Sequence, residues 1–275
     1  MTATGRPRRR RDGKPDLPRE QKGEDKMTTT GVKVFITGGP RTGTSAMYMA
    51  MRHVFNLPGQ GESHLTPIFW QMLGQFEKYQ ADRRANEGLL LHFMDGAEVR
   101  DAFCALLRDF YWRRYPQGSW VDKTPTAEAT RSYHLVRHAF PDARFIVTTR
   151  TGTEFVRSFV KKFPNTNFDQ ACRNWMGTML ANIWAEEKAE GALIVDQFDM
   201  TNRADETAER ICIHLGVPEK QANLADFFRS ERVDSSASRD WSRRMTLEET
   251  GWTDAEKERF VAICGGMMQR LGYPM

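Results

Sequence analysis

Apolar and polar positions follow two rhythms along this chain. Short runs dense in β-branched and aromatic residues, at Val32–Thr37, Trp120–Val121, Ala143–Thr149 and Ala192–Asp196, read as buried strands. Helical spacing predicts helices between and after them. The first runs from about Thr44 to Phe55 and is closed by Pro58 and Gly59. A second covers Thr66 to Gln80, with Pro67 in its first turn and Ile68, Phe69, Met72, Leu73 and Phe76 on its apolar face. Others are predicted over Gly96–Tyr115, Thr126–Phe140, from near Thr153, and over Asp169–Ala189, Arg203–Leu215, Pro218–Phe228 and Thr253–Leu271. Residues 59–63 read as a loop or strand end, residues 81–95 carry no clear rhythm, and residues 230–252 read as polar loop.

Strands that alternate with helices over long connections predict an α/β fold. The expected architecture is a three-layer sandwich around a mainly parallel central sheet, forming one domain over residues 31–275. Ligands of such sheets sit beyond the C-terminal ends of the strands. The glycine turn after the first strand, the Asp122-Lys123-Thr124-Pro125 stretch and Arg150 all follow strands, which predicts three polar stretches on one rim.

Charge changes this picture only at the N-terminus. The chain has 275 residues and a net charge of +4. Residues 1–30 hold nine Lys/Arg and five Asp/Glu, so the remaining 31 basic and 31 acidic residues cancel. Rich in proline and charge and nearly devoid of apolar residues, this tail is expected to be disordered. Arg8–Arg11 could touch RNA or an anionic membrane, but the body offers no electrostatic case for nucleic acid. No apolar run reaches the roughly 18 residues of a membrane helix, and no apolar segment follows the basic N-terminus as in a signal peptide. Cys104, Cys172, Cys212 and Cys264 are scattered without a CxxC pair, which fits reduced structural thiols and a cytoplasmic protein. No metal-ligand cluster is visible in the sequence.

The chemistry concentrates in Val32–Ser45. A buried strand, a turn with Gly38, Gly39 and Gly43, and a helix start form a layout that binds phosphate, because glycine lets backbone N–H groups converge on an anion. The P-loop pattern G-x-x-x-x-G-K-[ST] fits at Gly38, Gly43 and Ser45, but Thr44 stands where a nucleotide hydrolase needs lysine. The basic residue is Arg41, inside the turn. Asp196 is the nearest candidate for holding magnesium. A P-loop kinase or nucleotide hydrolase is thus one alternative, and an adenylate- or RNA-binding module led by the tail is another.

The stretch Gly39-Pro40-Arg41-Thr42-Gly43-Thr44-Ser45 resembles the 5′-phosphosulfate loop of sulfotransferases that use 3′-phosphoadenosine 5′-phosphosulfate (PAPS). That family's second signature, a strand-end arginine with a serine eight residues on, is matched by Arg150 and Ser158. The resemblance covers residues 32 to about 163 well and the C-terminal part loosely. It implies transfer of a sulfuryl group from PAPS to a hydroxyl, leaving 3′-phosphoadenosine 5′-phosphate (PAP), with no metal required. The loop with Arg41 would hold the 5′ end, Arg41 with Lys123 and the loop N–H groups would stabilise the phosphate leaving group, and Arg150 with Ser158 would hold the 3′-phosphate. The acceptor could be a carbohydrate, a lipid-linked sugar, a natural-product alcohol or a tyrosine.

Many cytosolic members of that family place a base in K-T-H-x-P. Here Lys123-Thr124-Pro125 lacks the histidine. Other branches resemble this chain in using a glutamate from a G-E segment, which makes Glu62 the base, with His64 as the alternative. A closed pocket would raise its pKa. Without the resemblance Glu62 reads as a capping or solvated side chain. Lys123 would touch the sulfuryl group or the departing oxygen, or else pair with Asp122. Arg239 is the candidate cofactor contact in the basic stretch 235–244, which reads equally as a solvated loop. Trp241 could stack on adenine or pack in a lid, and Phe69 and Trp70 are candidates for the acceptor pocket. Trp175 and Trp184 read as core.

Overall fold

Five strands form one sheet in the computed structural model, which describes residues 31–83, 88–230 and 242–275. The basic tail, Arg239 and Trp241 lie outside the described residues. The strands are β1 (Lys33–Gly38), β2 (Gly59–Gln60), β3 (Trp120–Lys123), β4 (Arg144–Thr149) and β5 (Ala192–Asp196). Their order is β2-β3-β1-β4-β5, and every neighbouring pair is parallel. The sheet is therefore all-parallel, and all strands end on one rim.

The helices are α1 (Thr44–His53), α2 (Leu65–Arg83), α3 (Leu90–Phe93), α4 (Gly96–Arg114), α5 (Ala127–Arg131), α6 (Tyr133–Ala139), α7 (Gly152–Lys162) and α8 (Phe168–Lys188). After β5 come α9 (Gln197–Asn202), α10 (Ala204–Leu215), α11 (Gln221–Ser230) and α12 (Asp254–Arg270). They cover both faces of the sheet, as period-2 alternation requires when the inner strands β1, β3 and β4 are buried on both sides. Val34 and Ile36 of β1, Val121 of β3 and Ile146 of β4 face one core with Met47 and Met51 of α1 and Ile211 of α10. Phe35, Trp120 and Phe145 face the other, against Leu107 and Tyr111 of α4 and Leu135 of α6. A third cluster, with Phe155, Trp175 and Phe260, joins α7, α8 and α12 beside the sheet. Each such fully buried side chain contributes about 1.5–3 kcal/mol.

Three elements differ from the sequence expectation. The helix predicted over 126–140 is two helices meeting at Ser132. The buried Ser132 hydroxyl donates to the Ala129 carbonyl at 2.8 Å, taking an acceptor that the backbone ladder would use. The stretch 81–95 contains the last turn of α2 and the short α3. Helix α9 follows β5 directly because Asp196 caps it, accepting from the Phe198 N–H at 2.9 Å.

Candidate active site

The turn between β1 and α1 is folded as an anion cradle. Arg41 has φ +70° and Gly43 φ +98°, left-handed positions that bring successive N–H groups onto one side. A Cβ on Gly39 would lie 2.7 Å from Thr178 Oγ1 and 3.0 Å from Phe155, so packing favours glycine there, while at Gly43 the left-handed φ does, with Met200 Cε 2.7 Å from the position of a Cβ. The buried Thr42 hydroxyl ties the turn to its own Gly39 carbonyl and to Thr148 Oγ1 of β4, each at 2.7 Å. No side chain caps α1. Its first N–H groups therefore open, with the positive end of the helix dipole, into a cleft of about 50 Å³ lined by Arg41, Gly43, Thr44, Ser45, Ala46, Arg150 and Gln197.

At the end of β4 the buried Arg150 is held from three directions. Its Nη1 donates to the Arg41 carbonyl at 3.1 Å, its Nε to Glu154 Oε2 at 3.2 Å, and its own carbonyl accepts from Trp175 Nε1 at 3.0 Å. Ser158, two turns along α7, accepts from Arg41 Nε at 2.8 Å. The Arg41 side chain thus lies on the Arg150–Ser158 side while its backbone belongs to the turn, and the two expected anion sites share a residue. The other Glu154 oxygen accepts from the Met245 N–H at 3.1 Å, and Thr153 Oγ1 donates to the Met245 carbonyl at 2.8 Å. This stitches the segment from residue 242 onto the first turn of α7.

Lys123 ends β3. It shares the parity of Val121 and so points to the α1 side of the sheet. Its Nζ donates to Glu62 Oε1 at 3.1 Å and to Ser45 Oγ at 3.5 Å. Its partner is thus Glu62 and not Asp122, which as the neighbouring strand residue faces the opposite way. The other Glu62 oxygen, Oε2, lies 3.2 Å from His64 Nε2. The Glu62 side chain is 47 % exposed. Burial pushes its pKa up, but the hydrogen bond and charge of Lys123, then those of His64, outweigh this and hold it below the ordinary value. The expected rise required a closed, uncharged pocket; this carboxylate is half-exposed and has a buried ammonium beside it.

The remaining candidates divide. Pro40 is half-buried in the turn, Thr44 is buried and Ser45 exposed. Phe69 is core, edge-on to Phe103 and Phe110. Trp70 lines a separate cavity of about 470 Å³ with Leu73, Glu77, Arg100, His134, Leu135 and His138. Trp175 is buried, and Trp184 packs edge-on to His134. Asp196 forms an ion pair with Arg244 at 2.8 Å and accepts from the Tyr273 hydroxyl at 3.0 Å. Among the described residues no group of three or more His, Cys, Asp or Glu could hold a metal ion, and the four cysteines are free and buried.

Two residues escaped the sequence reading. Glu154 was legible in principle, since Thr151-Gly152-Thr153-Glu154 has capping-box spacing and Arg150 lies four residues before Glu154. Asp122 gave no signal beyond its place beside Lys123. It is 4 % exposed and accepts from the hydroxyls of Ser63, Tyr111 and Thr124.

Fold and site together place an uncapped helix start, two guanidiniums, a carboxylate and an ammonium at one rim of a parallel α/β sheet. The model of the sulfotransferase family matches residues 33–221, and the chain belongs to that family. Among solved structures it is similar to the sulfotransferase domain of the olefin synthase from Synechococcus PCC 7002. The identity is 17%, with 93% of this chain and 100% of that one covered and a TM-score of 0.51. The sulfotransferase domain from the curacin biosynthetic pathway is also similar, at 17% identity, 90% and 99% coverage and a TM-score of 0.52. At this identity the likeness shows the fold. A search of curated proteins finds no match. No helix among the described residues is long and apolar enough to cross a membrane.

Proposed function

We propose that this chain transfers the sulfuryl group of PAPS to a hydroxyl acceptor of carbohydrate, lipid-linked, natural-product or tyrosyl type. One observation carries the reading: Glu62 and Lys123 meet at 3.1 Å beside Ser45 of the cradle, while Arg150 and Ser158 gather around Arg41 on its other side. The cleft lining fits a polyanion, for it contains two guanidiniums, an uncapped helix start and no carboxylate. Bound PAPS supplies an activated sulfuryl group and a phosphate leaving group.

The protein's part is positioning and charge. The N–H groups of the turn and of α1 hold the 5′ end, and Arg150 with Ser158 holds the 3′-phosphate. Glu62, ionised at neutral pH, takes the proton of the acceptor hydroxyl as its oxygen attacks sulfur. Lys123 sits between base and cradle. As Glu62 gains the proton it loses its charge, and the ammonium turns toward the oxygen that leaves the sulfur. Arg41 joins the two anion positions, its backbone at one and its guanidinium at the other.

Calorimetry with PAP, ATP and AMP tests the donor. Micromolar PAP binding that Arg150→Ala abolishes supports the reading, whereas tight ATP–magnesium binding without preference for a 3′-phosphate overturns it. Glu62→Gln is expected to keep PAP affinity and lose transfer. Unchanged turnover in that variant would move the base to another group.

A further inference from the structure

We infer that Asp122 is a positioning residue of the transfer, a clamp that fixes Glu62 against Lys123 from the opposite face of β3. This rests on Glu62 as the base. Asp122 is buried, and its contacts reach three consecutive residues after Glu62. Ser63 Oγ donates to Asp122 Oδ2 and accepts the Leu65 N–H at 3.2 Å. Thr124 Oγ1 donates to Asp122 Oδ1 at 3.1 Å and accepts the His64 N–H at 3.3 Å. From the core side, the Tyr111 hydroxyl also donates to Oδ2. Three hydroxyls converge as donors, the pattern that an acceptor-only carboxylate satisfies in full.

The clamped segment has reason to need holding. His64 has φ +55°, a left-handed conformation uncommon for any non-glycine residue, though histidine adopts it more readily than most, and such geometry persists where its surroundings over-determine it. The amides of His64 and Leu65 are the two anchored groups, and α2 begins at Leu65. Strand alternation does the rest. Asp122 faces the Tyr111 core while Lys123 faces α1, so consecutive strand residues grip the base segment from behind and meet its carboxylate in front. Without the clamp Glu62 keeps only its side-chain contacts, and a shift of about 1 Å in a reacting group lowers the rate about 100-fold.

The experiment has one arm without donor and one with it. In the ligand-free protein, Asp122→Asn replaces an acceptor oxygen by a donor at nearly constant volume. Amide exchange at His64 and Leu65 is expected to speed up at least about tenfold, as the loss of one or two hydrogen bonds implies, while Ile146 and Val147 keep their protection. With PAPS as the only substrate and water as acceptor, turnover falls about 100-fold at PAP affinity within about twofold of wild type. Ser63→Ala removes only the bond on the loop side. It moves both readouts the same way, and the double variant is no worse than Asp122→Asn, as one shared clamp requires.

Unchanged exchange at His64 and Leu65 overturns the inference. So does normal turnover with those amides opened, or a PAP affinity that falls in step with turnover, since either marks a purely structural role. A wild-type protein that does not bind PAP would instead sink the donor assignment, and the exchange arm would still judge the clamp.

Discussion

Removing Glu154 tests how the surroundings of Arg150 are assembled. Its carboxylate and the Arg150 guanidinium are 2 % and 5 % exposed as side chains and 3.2 Å apart, and the second carboxylate oxygen holds the Met245 N–H at 3.1 Å. Glu154→Ala leaves Arg150 buried without this counter-charge and Met245 without this acceptor. Breaking a buried pair from one side costs about 3–5 kcal/mol, and an unsatisfied N–H adds about 1 kcal/mol or more. This is a large part of the roughly 5–15 kcal/mol that holds a domain folded. Urea unfolding followed by circular dichroism reads it directly: with a slope near 3 kcal/mol per molar, the midpoint falls by about 1 M or more. Glu154→Gln retains one acceptor oxygen for two donors and is expected to fall between. A loss in Glu154→Ala below about 1 kcal/mol, the range of an exposed pair, would refute the argument that burial governs this contact.

Two further outcomes follow from the site. Lys123 and His64 hold the Glu62 pKa below its ordinary value of 4.5, so the carboxylate stays ionised as pH falls until that lower value is reached. The acid limb of the kcat/KM profile is therefore expected below pH 4.5; a limb near the ordinary imidazole value of about 6.5 would point to a histidine base. Gly43→Ala forces a side chain into φ +98° and to within 2.7 Å of Met200 Cε. It should cost about 1–3 kcal/mol of stability and weaken PAP binding in calorimetry, and a variant with wild-type melting and affinity would show that the turn does not need its left-handed residue.

The glycine turn, Arg150 and Ser158 were legible because each is a local pattern. A strand followed by glycines and a helix start dictates an anion cradle through backbone geometry alone, and an arginine at a strand end reaches the rim whatever lies elsewhere. The strands β1, β3 and β4 were legible for the same reason, since a doubly buried strand writes its apolar run into the sequence, and the half-buried edge strand β5 keeps such a run in Ala192–Val195. The break at Ser132 was not, because a serine inside helical spacing leaves open whether its hydroxyl turns to solvent or back to the Ala129 carbonyl.

The sequence by itself determined the class of fold, the glycine turn between strand and helix, and the placing of Arg150 at a strand end, all of which depend on neighbours within a few positions. Tertiary structure alone decided the state of Glu62 and the use of Asp122 and Glu154. Ionisation depends on which charges lie within a few ångströms, and those charges come from residues far apart in the chain. Lys123 reaches Glu62 because β3 lies between β1 and β2, and strand alternation then sends Asp122 to the other face. A carboxylate expected in a closed pocket with a raised pKa is instead half-exposed, paired with an ammonium and held ionised.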